Sequence, residues 1–135
     1  MKFLGNILWL ILGGLIIALY YFLMGLLLAA ARGESLTYSD TQVRGITYVR
    51  EVADQVATMI ERDIPGGVYN FGSENTLDML TTARQCADIL CLQVKLLPGA
   101  PRHDLNMDGS KLRQYGIDFS STVEGIRRCK MDYAM

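Results

Sequence analysis

LGNILWLILGGLIIALYYFLMGLLLAAA, residues 4–31, contains no charged side chain. Lys2 precedes it, Arg32 ends it, and Asn6 is the strongly polar residue near its start. About 20 apolar residues cross a bilayer core as a helix, and this run is longer. It is therefore expected to be a transmembrane helix from Asn6 or Ile7 to Ala31. The competing assignment is a cleaved signal peptide, because Ala29-Ala30-Ala31 has the small side chains of a cleavage site. The apolar part of a signal peptide is about 7–15 residues, so length favours the anchor. Trp9, Tyr20 and Tyr21 add aromatic surface, with the tyrosines too deep for an interfacial belt. At about 100° per residue, Gly14, Ala18, Gly25 and Ala29 share one stripe, where small side chains let a second helix approach.

Composition changes at Arg32-Gly33-Glu34. Of 135 residues, half are hydrophobic, yet nearly all the charge lies beyond this junction. Two regions are expected: 1–32 as the transmembrane segment and 33–135 as a small α/β module. The second is roughly 100 residues, enough for one modest core. The net charge is −1 and the basic residues are scattered, so there is no nucleic-acid footprint. Cys86, Cys91 and Cys129 have no metal-ligand spacing and are odd in number, which fits free thiols in a reducing compartment. Arg32, Arg44 and Arg50 follow the apolar run, so the positive-inside rule places the C-terminal part in the cytoplasm.

Periodicity sets the elements. Leu36–Ser39 reads as a strand. Thr47–Arg62 reads as a helix, with Val49, Val52, Ala53, Val56, Met59 and Ile60 on one face. Pro65-Gly66-Gly67 stops it, and Val68–Phe71 reads as a short strand. Asn75 is the expected cap of the next helix, with Asp78 in its first turn and Leu77, Leu80, Ala83, Ala87 and Leu90 inward. Leu92–Leu97 reads as a strand. Asp108 opens a short helix that Gly116 ends, with Ser110 and Lys111 in its exposed first turn. Ser121 and Glu124 form a capping box for the last helix.

Two resemblances extend this reading. MKFLGNILWLILGGLIIALYYFLMGLLL, residues 1–28, resembles the start of YccF-type small inner-membrane proteins, above all in NILWLILGG, residues 6–14. It implies an inner-membrane location. Three later stretches resemble the C-terminal part of extended short-chain dehydrogenases, the dTDP-4-dehydrorhamnose reductase (RmlD) type in particular. They are DTQVRGITYVREVADQV (40–56), GGVYNFGSENTLDMLTTAR (66–84) and RHDLNMDGSKLRQYGIDFSSTVEGIRRC (102–129). The implied fold class is one N-terminal transmembrane helix followed by an incomplete mixed α/β substrate-binding domain. The resemblance implies that Arg44 and Arg102 contact the diphosphate of a nucleotide-sugar. A guanidinium fork suits phosphate oxygens held bidentately. NAD(P)H is the cofactor implied for the family.

The catalytic and cofactor residues of such a reductase are not in this sequence. No strand–glycine–helix fingerprint is present: Gly13-Gly14 lies in the apolar run, and Gly66, Gly67 and Gly72 stand in the wrong order. Such enzymes also use a Tyr-x-x-x-Lys pair. Four residues beyond Tyr20, Tyr21, Tyr38, Tyr48, Tyr69 and Tyr115 stand Met24, Gly25, Gln42, Val52, Ser73 and Phe119, and Tyr133 is too near the end. His103, the one histidine, reads as a surface residue; Tyr48 reads as packing. Hydride transfer by this chain alone has no agent.

Three functions follow. The first is a membrane-anchored, non-catalytic fragment with nucleotide-sugar binding. The second is half of a reductase completed in trans by a cofactor-binding chain. The third is a YccF-type membrane interaction protein with a scaffold module.

Overall fold

The computed structural model describes residues 15–133, with side chains from Tyr21 onward. Seven elements follow in order: α1 (Leu15–Arg32), β1 (Ser35–Ser39), α2 (Val49–Glu61), α3 (Met79–Ile89), β2 (Lys95–Gly99), α4 (Ser110–Arg113) and α5 (Thr122–Tyr133). The strands pair in parallel, from Ser35 opposite Lys95 to Ser39 opposite Gly99. A parallel pair needs a long crossover, here supplied by α2 and α3.

The apolar run behaves differently from its expected role. Among the described residues, no helix is long and apolar enough to cross a membrane. The expected fold class of a transmembrane helix followed by a mixed α/β domain is corrected: this is a small α/β unit on a two-stranded parallel sheet. The reason is in the packing. Leu23, Leu26 and Ala29 are 8%, 0% and 2% exposed. Leu23 meets Tyr48 and Cys129; Leu26 meets Cys86 and Ile126 and, with them, Leu36, Tyr38 and Leu96 of the sheet. From Tyr21 onward, α1 thus turns Leu23, Leu26 and Ala29 to the protein's own interior. Residues 1–14, which hold the whole NILWLILGG stretch including Gly14, lie outside the described residues. Of the small-residue stripe, Gly25 has open space around it and Ala29 is buried within the fold.

The other helices sit near their expected places. On α2, Val52 is buried, but Ala53 and Ile60 are exposed. Glu51 takes the interior place instead, accepting from the Ser120 N–H at 2.8 Å and its hydroxyl at 2.6 Å, with Arg128 3.3 Å away. On α3, Leu80, Ala83, Cys86 and Ala87 are buried as the spacing requires. Val68–Phe71 forms no strand; among the described residues no neighbouring strand is there to pair with, and the Val68 carbonyl accepts from Lys111 at 2.8 Å. Ser121 caps α5 by accepting from the Glu124 N–H, and Lys130 donates to the Ile89 carbonyl at the end of α3.

The cap of α3 is Asp78 rather than Asn75. Its two carboxylate oxygens take the Thr81 N–H at 2.8 Å and the Thr81 hydroxyl at 2.7 Å. Burial pushes the Asp78 carboxyl up, but these Thr81 hydrogen bonds outweigh it and hold it below its ordinary value. Asp78→Ala is expected to cost about 1 kcal/mol in urea unfolding at pH 7. A depressed carboxylate contributes stability above its unfolded pKa, about 3.9, and loses it as pH falls through the folded value. The gap between the parent and Asp78→Ala curves should therefore narrow below about pH 4.

Candidate functional site

Residues 41–44 and 102–105 run side by side and form the setting for both predicted arginines. The Arg102 N–H donates to the Thr41 hydroxyl at 3.3 Å. Gln42 Nε2 donates to the His103 carbonyl at 2.8 Å, and the Val43 N–H donates to Asp104 Oδ1 at 3.1 Å. The Leu105 N–H closes the seam on the Val43 carbonyl at 2.9 Å. Arg44 and Arg102 lie at its two ends, and both are exposed. Among the described residues, neither guanidinium has an ion-pair partner. The contrast is with Arg113, held by Glu74 at 2.7 Å, and Arg128, held by Glu51.

The seam is fixed from below by Asn75, which is 4% exposed. Its Nδ2 donates to the Arg44 carbonyl at 3.0 Å and to the Thr82 hydroxyl at 2.9 Å. Its own N–H donates to Asn106 Oδ1 at 3.0 Å. One buried amide therefore ties Arg44, the 102–109 segment and α3 together. Satisfied buried networks of this kind rigidify what they hold. The Met79 N–H adds a bond to the Gln42 carbonyl at 2.9 Å, anchoring the seam to the start of α3. Sequence reasoning placed Asn75 as a cap in preference to a sugar-pocket residue; its long-range partners have no local signal.

A larger cavity, about 600 Å³, lies between the 72–77 loop, α3, α4 and α5. Glu74, Gln85, Arg113, Phe119 and Arg127 line it, and Arg44 and Arg102 do not. Its cations are already neutralised. Glu74 is held below its ordinary carboxylate range by the Gly109 N–H and then by Arg113. Arg113 faces Asp108 at 3.8 Å and Asp118 at 3.9 Å as well. An incoming phosphate would have to displace these carboxylates.

Among the described residues, no cysteine stands at the seam. Burial pushes the Cys86 thiol up to about 12, and burial followed by Asp132 raises Cys129, so both are inert packing thiols. Tyr48 is 2% exposed and donates to Asp132 Oδ2 at 2.6 Å; burial and this bond raise its pKa. It is a packing residue with a satisfied hydroxyl. His103 is exposed and contributes its backbone carbonyl. Among the described residues, no strand leads through a glycine-rich turn straight into a helix, so these residues do not fit a dinucleotide.

Residues 4–52 match the YccF family, described as an inner membrane component domain. The match takes in α1, β1 and the start of α2. No curated protein matches the chain. Among solved structures, the chain is similar to the UDP-glucose 4-epimerase of Thermus thermophilus in its complex with NAD. The TM-score is 0.57 at 21% identity, over 76% of this chain and 37% of the epimerase chain. At this identity the likeness shows the fold alone, and the chain spans well under half the epimerase's length. The chain thus shares its fold with part of a UDP-glucose 4-epimerase, and its N-terminal portion is similar to an inner membrane component domain.

Proposed function

We propose that the chain is a non-catalytic, inner-membrane-associated module that binds the diphosphate of a nucleotide-sugar through Arg44 and Arg102, with its α/β unit in the cytoplasm. The observation that carries this reading is the seam: two exposed arginines without carboxylate partners among the described residues, on segments held together by four hydrogen bonds. Guanidinium groups suit phosphate oxygens, and among the described residues an anion there displaces no existing ion pair. The similarity to an enzyme of UDP-glucose supports the ligand class. The absence of Tyr-x-x-x-Lys from this sequence supports the lack of catalysis.

Calorimetric titration with UDP and dTDP tests this reading. Binding is expected, weakening as salt rises. Arg44→Ala and Arg102→Ala should each weaken it about tenfold, as expected for loss of one charge-assisted hydrogen-bonding group. Unchanged affinity in either variant removes that arginine from the site. NADPH binding by the chain alone would overturn the non-catalytic assignment.

A further inference from the structure

Three helices share one end of the unit. Leu26 of α1 clusters with Cys86 and Ile126, and Leu23 with Cys129 and Leu90. Stepping back along α1 from Leu26 to Leu23 therefore steps forward along α3 and α5, so both run opposite to α1. Their C-terminal turns lie where α1 enters the unit, and Tyr48, just before α2, lies there too.

The backbone of α1 is helical from Leu15, seven residues before Phe22. At about 1.5 Å per residue, about 10 Å of helix leads up to this end. Residues 3–20 carry no charged side chain. Beside the entry point stand Tyr21, Met131 and Tyr133, at 71%, 70% and 53% exposure. Single exposed apolar side chains are ordinary, but these three are gathered at one end and the α5 turn is held there. Asp132, between Met131 and Tyr133, accepts from the Tyr48 hydroxyl at 2.6 Å and lies 3.4 Å from Arg50. The Arg50 guanidinium stands over the Tyr133 ring, 5.3 Å from its centroid. Lys130 ties the same turn to the Ile89 carbonyl.

We infer that this end is the face the α/β unit turns to a phospholipid bilayer, with Tyr21, Met131 and Tyr133 in the headgroup layer and Arg50 among the phosphates. Tyrosine and arginine pair an apolar body with a polar tip, which suits that layer. The uncharged run arrives at this end and no other, so the lipid that accommodates it also meets the collar. Residues 4–52, similar to an inner membrane component domain, take in α1 and Arg50. A second copy of this chain would cover the three side chains but offers no reason for an uncharged run beside them. The inference rests on the membrane association proposed above and is independent of the nucleotide-sugar site.

The test uses fluorescence quenching in the full chain. Cys86 and Cys129 are buried and Cys91 is exposed, so Cys91→Ser clears the surface of native thiols. Met131→Cys or Ile60→Cys is then added and labelled with a nitrobenzoxadiazole dye. Ile60 is 75% exposed and lies about 15 Å along α2 from Arg50. The protein is reconstituted into phosphatidylethanolamine–phosphatidylglycerol vesicles with nitroxide on a fraction of the headgroups. Interfacial side chains lie about 5–10 Å into the headgroup boundary, so the label at 131 should lose about half its emission or more, and the label at 60 under about a tenth. Native Cys91, just beyond α3 at the same end, repeats the measurement without a substitution and should be quenched like 131. Circular dichroism matching the parent shows that the labelled chains are folded. Unquenched, water-like emission at 131 and 91 in vesicle-bound chain overturns the inference and leaves membrane association standing. Equal quenching at 131 and 60 overturns it as well. So does blue-shifted emission at 131 that nitroxide lipid does not quench, the signature of a second copy. Failure of the chain to float with the vesicles overturns both the inference and the association, while UDP titration of the same sample reports on the arginine site separately.

Discussion

Leu26→Ala is expected to lower the unfolding free energy by about 3 kcal/mol and the melting temperature by roughly 10 °C. Leu26 is fully buried, although it sits in the most apolar stretch of the chain. Its side chain fills the space between Cys86 of α3 and Ile126 of α5, with the sheet residues Leu36, Tyr38 and Leu96 around them. Truncation loses the transfer free energy of the removed methyl groups and leaves a cavity that three elements cannot close together. The internal comparison is Leu28, two positions along the same helix and 46% exposed. Leu28→Ala should cost under about 1 kcal/mol, because much of its surface already meets solvent. Urea unfolding of both variants, followed by circular dichroism, checks the pair. Equal and small losses would show that α1 does not belong to the α/β core.

The same helix shows where sequence reasoning reaches its limit. Hydropathy counts apolar residues but does not say what they face. A helix buried against a small sheet and two other helices reads like one surrounded by lipid. The elements with a polar face were legible: α2 and α3 from their period, α5 from Ser121 and Glu124, β1 from its strand-forming residues. Val68–Phe71 has strand composition, but a strand exists only with a partner, and the sequence does not show that none lies beside it. Asn75 and Asp78 are equally good caps by residue type. Asn75 is drawn into the interior by Arg44, Thr82 and Asn106. Glu51 is buried because Ser120 and Arg128, far along the chain, satisfy it. Arg44 and Arg102 were named through a resemblance; their placement at the two ends of one seam depends on long-range pairing that no local pattern encodes.

The crossing beside that seam makes Gly45→Ala the second large effect. A Cβ at position 45 would overlap the Ser73 carbonyl oxygen and come within 2.8 Å of the Ser73 carbonyl carbon. Neither backbone can yield cheaply. The Ser73 N–H is bound to the Thr47 hydroxyl at 2.8 Å, and the carbonyl just before Gly45 is held by Asn75 at 3.0 Å. Overpacking against backbone costs about 3 kcal/mol, so the melting temperature should again fall by roughly 10 °C. The displacement passes directly to Arg44, so UDP affinity should drop at least as far as in Arg44→Ala. Gly25→Ala supplies the opposite sign. Nothing lies within 4 Å of its added methyl, and alanine relieves the entropic penalty of a glycine inside a helix. A gain of about 0.5–1 kcal/mol is expected there. Two glycine-to-alanine changes with opposite outcomes separate a glycine required by close backbone approach from one that is not. A neutral Gly45→Ala would mean that the 45 and 73 backbones do not cross as described, and the placement of Arg44 would fall with them.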